Sequence, residues 1–185
     1  MRVISGTAKG RKLKGVPGGS TRPITDRAKV ALFDLLGEEV AGARLLDLFA
    51  GTGGVGIEAL SRGARLVVFV DRDPLAIRTV HQNLELTGLS DRARVIHSDA
   101  FRFLGRRPAE RFEIIYVAPP QYEGLWIRSL EKLDQSPDWL SGEGQIVVQI
   151  DPREYRPVRA GNLQEREQRR YGSTLLCFFD RAGGD

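Results

Sequence analysis

A glycine turn follows a short apolar run that contains one carboxylate. Residues 43–48 include Asp47 and predict a buried strand, because the run is too short for a helix. Gly51, Gly53 and Gly56 then match the spacing G-x-G-x-x-G, and the residues after them fit the first turns of a helix. Without side chains the turn can approach a ligand closely, and the helix start offers unpaired N–H groups. The stretch therefore predicts a ligand-binding turn.

The glycine spacing alone leaves two ligand classes open. A dinucleotide pyrophosphate would use the helix N-terminus as an anion site. S-Adenosylmethionine instead carries an ammonium and a sulfonium, and it also binds at turns of this kind. The carboxylate of Asp47 suits an ammonium and would repel a pyrophosphate. We therefore expect S-adenosylmethionine, with a nicotinamide-dependent oxidoreductase and a ligand-free tight turn as the alternatives.

Two further carboxylates follow predicted strands. Asp71 comes twenty residues after Gly51, the interval at which an acid meets ribose hydroxyls in nucleotide-binding βαβ units. Asp99 follows the third predicted strand, where it either accepts an amino proton of adenine or caps a helix. Because the carboxyl ends of parallel strands share one edge of a sheet, we expect Asp47, Asp71, Asp99 and Pro119 to meet there.

The elements around these residues alternate between strands and helices. After the strand at residues 43–48, strands are predicted at 66–70, 94–97, 112–117 and 145–150, with a closing hairpin from 164–170 and 173–179. Thr25 is the predicted N-cap of an amphipathic helix from Asp26 to near Gly37. This order predicts an α/β fold: a Rossmann-like, mostly parallel, doubly wound sheet with a C-terminal antiparallel hairpin. Residues 2–6 and 11–15 flank a glycine-containing turn and predict a small basic N-terminal hairpin extension.

Composition excludes several classes of protein. The 185 residues are 41% hydrophobic and 28% charged, which is ordinary for one globular domain. No apolar run has the length of a membrane span, and no signal peptide is recognisable, so we expect a cytoplasmic protein without a membrane partner. One cysteine and two scattered histidines predict no metal site.

The N-terminal region carries most of the positive charge. Residues 1–30 contain eight lysines and arginines against Asp26 alone, although the whole chain has a net charge of only +4. This distribution predicts contact with a polyanion, with a solvated basic tail as the alternative. We expect residues 1–24, the basic arm, to contact RNA and residues 25–185 to form the Rossmann-like domain. The candidate RNA contacts are Lys9, Arg11, Lys12, Lys14, Arg22 and Arg27.

Several of these motifs resemble those of a known family. Residues 47–53, Asp71, residues 98–100 and the Pro119–Pro120 pair resemble class I S-adenosylmethionine-dependent methyltransferases. More narrowly, the segments 10–13, 22–27 and 49–53 are similar to those of bacterial 16S rRNA guanine-N2 methyltransferases of the RsmD type. The resemblance covers nearly the whole chain. It implies methylation of the exocyclic N2 of one guanine, in 16S rRNA or in a small-subunit assembly intermediate; we expect a monomer.

The resemblance also implies roles for individual residues. Asp47 and the Gly51–Gly53 backbone would hold the methionine part of the cofactor, Asp71 the ribose, and Asp99 with Ala100 the adenine. The full set of candidate cofactor contacts is Asp47, Phe49, Ala50, Gly51, Thr52, Gly53, Gly56, Asp71, Arg72, Asp99, Ala100 and Thr25.

The sequence departs from the family at the catalytic motif. The family pattern is Asp or Asn, Pro-Pro, then Tyr or Phe; here it is Ala118-Pro119-Pro120-Gln121, with Tyr122 one position late. A guanine amino group is a poor nucleophile that needs hydrogen-bond acceptors to orient it, and Ala118 has no side-chain acceptor.

Two groups are candidates to replace that acceptor: the Gln121 side chain and a backbone carbonyl. Tyr122 is the candidate platform on which the target base would stack. The alternative is a catalytically impaired cofactor- and RNA-binding protein of the same family.

Overall fold

The computed structural model describes residues 1–18 and 23–183. The strands are β1 (Arg44–Asp47), β2 (Leu66–Asp71), β3 (Ala93–His97), β4 (Phe112–Val117), β5 (Leu140–Ile150), β6 (Leu163–Tyr171) and β7 (Thr174–Arg181). The α-helices are α1 (Asp26–Leu36), α2 (Gly54–Ser61), α3 (Pro74–Thr87), α4 (Ala100–Leu104) and α5 (Leu125–Gln135). Short 3₁₀ helices span Gly37–Val40, Ser90–Arg92, Pro137–Trp139 and Pro152–Glu154.

The strands form one seven-stranded sheet in the order β3-β2-β1-β4-β5-β7-β6. The first five strands are parallel, and β7 pairs antiparallel with both β5 and β6. The strand order reverses between β1 and β4, which makes their carboxyl ends the topological switch point where ligands bind in such sheets. The predicted fold class is confirmed.

Two apolar clusters cover the two faces of the sheet. Helices α1, α2 and α3 pack on one face, where Leu45, Phe69 and Tyr116 belong to the same buried cluster. Helices α4 and α5 pack on the other face, against residues such as Leu46 and Val148. Because successive side chains of a strand alternate between faces, neighbours in sequence enter different clusters.

Strand β5 begins earlier than predicted. It starts at Leu140 instead of residue 145, and its pairing with β4 shifts register between Phe112 and Ile114. Gly142 and Gly144 suggest a loop in the sequence, yet the chain stays extended across this irregularity. A Cβ on Gly144 would lie 2.9 Å from the Phe112 carbonyl oxygen, so the close approach of the two strands requires glycine there.

The basic arm packs against the rest of the chain through its apolar residues. The predicted N-terminal hairpin is reduced to one antiparallel bridge, between Arg2 and Lys12. Val3, Ala8 and Leu13 are buried in the same cluster as α1, α2 and α3. The functional division of the chain at residue 24 stays a prediction.

A buried carboxylate fastens the start of the arm to α2. Glu58 is fully buried and accepts hydrogen bonds from the backbone N–H groups of Ile4 (2.8 Å) and Ser5 (2.9 Å). Lys29 is also fully buried, with its Nζ 3.3 Å from Glu58, and burial lowers the pKa of its ammonium. The arm is therefore held by directional bonds as well as by apolar packing.

Among residues 1–18 and 23–183, no helix combines the length and apolar character that crossing a membrane requires.

Candidate active site

A cavity of about 800 Å³ lies at the carboxyl ends of β1, β2, β3 and β4. Asp47, Asp71 and Asp99 line it, together with Pro119 on the opposite side of the switch point. The structure thus brings together the four residues that the strand order places at one edge of the sheet. The volume lies within the range of about 300–1,000 Å³ typical of ligand pockets.

Asp47 is the most unusual group in this cavity. Its side chain is buried, and its Oδ2 accepts a long hydrogen bond of 3.3 Å from the backbone N–H of Gly56. Its Oδ1 has no hydrogen-bond partner in the described part of the chain. Burial raises the pKa of Asp47 to about 7, and the nearby charge of Asp71 acts in the same direction. A cationic ligand group would compensate such a carboxylate.

Asp71 shapes the glycine turn and faces the cavity as well. Its Oδ2 accepts a hydrogen bond of 2.8 Å from the Gly51 N–H, and its Oδ1 accepts one of 2.9 Å from the Asp73 N–H. An ionised carboxylate has about four acceptor positions. Asp71 can therefore hold the turn and still accept protons from ligand hydroxyls.

Of the three glycines in the G-x-G-x-x-G motif, one lines the cavity and two shape the turn and the helix beside it. Gly51 lines the cavity, at φ 55°. Gly53 has φ 76° at the start of α2, a left-handed conformation that favours glycine. A Cβ on Gly56 would lie 2.3 Å from the Phe69 ring, so this glycine allows α2 to pack on β2. Gly53 and Gly56, candidate cofactor contacts from sequence, do not line the cavity.

Asp99 both caps a helix and faces the cavity. It is the N-cap of α4, and its Oδ1 accepts hydrogen bonds from the N–H groups of Phe101 (2.9 Å) and Arg102 (3.0 Å). These two bonds use one carboxylate oxygen. The two interpretations of Asp99 left open by the sequence are therefore compatible. Its neighbour Ala100 also lines the cavity.

Four other candidate cofactor residues line the cavity, and one does not. The four are Phe49, Ala50, Thr52 and Arg72. The Thr25 hydroxyl instead accepts a hydrogen bond of 3.2 Å from the Ala28 N–H as the N-cap of α1. Thr25 itself is not part of the cavity wall, although its neighbours Pro23 and Ile24 are.

The proline motif forms the end of the cavity beyond β4. Ala118, Pro119, Pro120 and Gln121 all line it. The structure does not bring Tyr122 into the wall. Its side chain is 59% exposed, and its role as a base platform stays a prediction.

Tyr122 is held by residues in and just before the 3₁₀ helix that follows β5. Its backbone has φ 63°, an uncommon conformation for a residue with a side chain. Its N–H donates to Glu154 Oε2 (2.7 Å), and its hydroxyl donates to Asp151 Oδ2 (2.8 Å). The Arg153 guanidinium donates to the same hydroxyl. These bonds fix the side chain outside the cavity wall.

The candidate residues from sequence did not include four polar side chains of the wall: Asp73, Tyr116, Gln149 and Arg128. The hydroxyl of Tyr116 donates to Gln149 Oε1, and the Arg128 guanidinium carbon lies 4.3 Å from the centre of the Phe101 ring. Gln149 could have been found from the sequence, because it is a polar residue within the apolar run of β5. Nothing in the periodicity distinguishes Arg128 from other exposed helix residues.

The basic arm exposes its cations. Lys9, Arg11, Lys12 and Lys14 are all exposed, as is Arg27 on α1. None of these five forms an ion pair with another residue of the described chain. Arg22, the sixth candidate RNA contact, lies outside the described residues.

A search of residues 1–18 and 23–183 finds no group of three or more His, Cys, Asp or Glu side chains that could hold a metal ion.

Comparison with known proteins agrees with this architecture. A family model described as "Conserved hypothetical protein 95" matches residues 1–180. YlbH of Bacillus subtilis (strain 168) is 42% identical over 186 residues, which cover 99% of this chain and all of YlbH. Ribosomal RNA small subunit methyltransferase D of Escherichia coli (strain K12) is 31% identical over 181 residues, which cover 98% of this chain and 90% of the Escherichia coli protein.

Solved structures share the fold over nearly the full length. YhhF from Escherichia coli superimposes with a TM-score of 0.86 at 31% identity, covering 98% of this chain and 97% of YhhF. A protein from Thermus thermophilus superimposes with a TM-score of 0.83 at 33% identity, covering 97% and 99% of the two chains.

The fold and the cavity at the strand ends define a class I methyltransferase. Within this class, the chain belongs to the family described as "Conserved hypothetical protein 95", which includes the RsmD-type rRNA methyltransferases. The resemblance seen in the sequence motifs is confirmed. The alternative of a catalytically impaired family member is not favoured, because the Escherichia coli relative is named as an enzyme.

Proposed function

We propose that this chain transfers the methyl group of S-adenosylmethionine to the exocyclic N2 of a guanine in 16S rRNA. One observation carries the proposal: the unpartnered carboxylate oxygen of Asp47 and the Pro119–Pro120 motif line the same cavity. The name of the Escherichia coli relative supports a small-subunit RNA as the substrate. The guanine N2 specificity rests on the resemblance of the sequence motifs to the RsmD type.

The residues of the cavity fit the proposed cofactor. S-Adenosylmethionine presents an ammonium, two ribose hydroxyls and an adenine amino group, all of which are hydrogen-bond donors. Asp47, Asp71 and Asp99 present carboxylates along the cavity, and an ionised carboxylate only accepts. The buried Asp47 would gain most, since an ammonium would both pair its charge and satisfy Oδ1. When bound, the cofactor supplies an electrophilic methyl group.

A nicotinamide dinucleotide fits the same residues poorly. Its pyrophosphate would lie at the start of α2, where Asp47 accepts a hydrogen bond from the Gly56 N–H. The carboxylate of Asp47 would then face a dianion in the same cavity, at an electrostatic cost.

The proline motif would prepare the attacking nitrogen. The lone pair of the guanine amino group is delocalised into the ring, so the nitrogen must lose part of this conjugation and become pyramidal as it attacks. Acceptors at this end of the cavity, including the Pro119 carbonyl, would bind the amino protons and direct the lone pair at the methyl carbon. In the transfer, the N–C bond forms as the C–S bond breaks, the electron pair stays on sulfur, and one N2 proton leaves to solvent.

The exposed cations of the basic arm would bind the RNA backbone. Lys9, Arg11 and Lys12 lie on a segment whose apolar residues are buried, so their side chains point to solvent. Without intramolecular ion pairs, these cations are available to phosphates. The start of the arm is fastened to α2 by the bonds of Ile4 and Ser5 to Glu58, which holds this part of the arm beside the domain.

The test is methyl transfer from S-adenosylmethionine labelled in its methyl group. The purified chain is incubated with 16S rRNA, with 30S subunits and with partly assembled particles, all from cells that lack the endogenous enzyme. Digestion to nucleosides followed by mass spectrometry is expected to find N2-methylguanosine at one position. Label in another nucleoside would contradict the guanine specificity, and no label on any ribosomal substrate would contradict the function. Calorimetry with NAD and S-adenosylmethionine separates the two cofactor classes.

A further inference from the structure

Ala118 lies in the cavity wall where the family motif has its side-chain acceptor. The neighbouring strand supplies a polar side chain at the same height. Strands β4 and β5 are parallel, with Val117 paired to Val148, so the next step of this register sets Ala118 beside Gln149. Paired residues of adjacent strands project to the same face of a sheet. Both Ala118 and Gln149 line the cavity.

Gln149 is held in position by a buried hydroxyl. Tyr116 is 4% exposed and lies two residues before Ala118, on the same face of β4. Its hydroxyl donates a hydrogen bond to Gln149 Oε1. A carbonyl oxygen of this kind has a second lone pair, which stays available to a second donor while the first hydrogen bond fixes the orientation of the amide. Gln149 therefore offers an oriented acceptor.

Gln121 is the competing candidate and is less constrained. It also lines the cavity, but it lies on the loop after β4. Within residues 1–18 and 23–183, Gln121 forms no hydrogen bond that would fix its side chain. A catalytic contact built on a strand and locked by a second hydrogen bond is more accurately placed than one on a loop. The geometry therefore favours Gln149.

We propose that the Gln149 carboxamide accepts a hydrogen bond from the amino group of the target base and so replaces the acceptor missing at Ala118. This inference rests on the proposed methyl transfer. Gln149 would be a catalytic residue because it touches the reacting amino group, and Tyr116 a positioning residue that acts through it. As a neutral amide, Gln149 orients the nitrogen without taking its proton, which leaves to solvent after the N–C bond has formed.

The test compares Gln149→Met with the matched control Gln164→Met, which makes the same change at an exposed position of β6 outside the cavity wall. Methionine keeps the length of the side chain and removes the strong acceptor. We expect Gln149→Met to lower the single-turnover rate on ribosomal substrate ~10²-fold, by analogy with losing one oriented group elsewhere. Cofactor affinity by calorimetry should stay within about threefold, and Gln164→Met should change the rate less than about threefold. Gln121→Ala tests the competing candidate, and a larger loss of rate there than in Gln149→Met would overturn the inference. Tyr116→Phe, which frees the amide, should lower the rate by about tenfold.

A second-site variant separates catalysis from packing. Ala118→Asp introduces a carboxylate beside position 149, and we expect it to restore the rate of Gln149→Met at least tenfold. A merely structural Gln149 would not be rescued in this way. The inference is overturned if Gln149→Met binds cofactor and keeps the wild-type rate, or if Ala118→Asp restores nothing. If Gln149→Met does not fold, Tyr116→Phe becomes the deciding variant, and an unchanged rate in that variant would overturn the inference. A wild-type chain inactive on every substrate overturns the proposed function instead.

Discussion

The two ends of the cavity are built in different ways. At the end proposed for the cofactor, around Asp47 and Asp71 (the cofactor end), the wall is backbone folded around carboxylates: the Gly51 N–H donates to Asp71, and the Gly56 N–H donates to Asp47. At the end proposed for the target base, around Ala118 and Gln149 (the target end), the wall is made of side chains and prolines from β4, β5 and the loop between β4 and α5. The first end matches its sequence motif, whereas the second has Ala118 at the position where the family pattern has Asp or Asn.

This difference has a physical reason. A backbone turn depends on several glycines and acids at once, because each residue supports the conformation of the next. A side-chain acceptor needs only to reach the correct point in space, and a neighbouring strand can supply it. We infer that the cofactor end tolerates few substitutions, while the target end permits exchange of the residue that fills a role.

Asp47→Ala should strongly weaken cofactor binding. It removes the only carboxylate of the wall that is buried with an unpartnered oxygen, among the described residues. We expect cofactor affinity to fall ~10²-fold or more, since the ammonium would lose its charged partner. Isothermal calorimetry with S-adenosylhomocysteine measures this, because it carries the same ammonium. Gln121→Ala is the control at the other end, and an equal loss there would contradict the contrast.

Asp47→Asn should remove a pH dependence of folding. The native carboxyl has a pKa of about 7, whereas in the unfolded chain it ionises near its ordinary value. Native Asp47 therefore keeps its proton between about pH 4 and pH 7 while the unfolded chain loses it, so stability falls as the pH rises through this window. The free energy of unfolding of Asp47→Asn relative to wild type should therefore be about 2–4 kcal/mol more favourable at pH 8 than at pH 4. Urea unfolding at both pH values measures the difference.

The same pKa makes cofactor binding sensitive to pH. Because an ammonium prefers the ionised carboxylate, the affinity of the wild-type chain should tighten about tenfold from pH 6 to pH 8. Asp47→Asn should bind weakly with a flat profile. A wild-type profile that is equally flat would show that Asp47 does not meet the ammonium.

Gly56→Ala should destabilise the cofactor end through packing. The new Cβ would lie 2.3 Å from the Phe69 ring and 2.8 Å from Val67, so α2 must move away from β2. We expect a loss of about 1–3 kcal/mol in the free energy of unfolding, with weaker cofactor binding as the turn moves. Gly142→Ala is the matched control on β5, where an added Cβ meets nothing within 4 Å. Equal effects of the two variants would refute the packing role.

Neutralising the basic arm should weaken RNA binding and leave the cofactor end unchanged. The variant carries alanine at Lys9, Arg11, Lys12 and Lys14. We expect RNA affinity to fall about tenfold, with the slope of log K against log salt reduced by roughly three, at about 0.7 per phosphate contact. Filter binding over a salt series measures this. A collapse of cofactor affinity would indicate that the arm supports the fold of the site instead.

Local patterns in the sequence predicted most of the fold. The limits of β4 coincide with the predicted strand at residues 112–117, because a short run rich in β-branched and aromatic residues that ends just before a proline pair favours a strand with that end. The predicted start of β5 was wrong by five residues, because its two glycines suggest a loop and the close approach of Gly144 to Phe112 is a tertiary contact. Thr25 was predictable as a helix cap from its position, and the structure gives it that contact.

The sequence by itself determined the glycine turn and the acids Asp47, Asp71 and Asp99, because spacing along the chain sets which residues end parallel strands. Only the tertiary structure decided which side chains complete the wall at the other end. Gln149 reaches Ala118 through the register of β4 and β5, and Tyr122 is withdrawn by bonds to the 3₁₀ helix after β5. Both contacts join residues about thirty positions apart, and such pairings depend on strand register and side-chain geometry that no local pattern encodes.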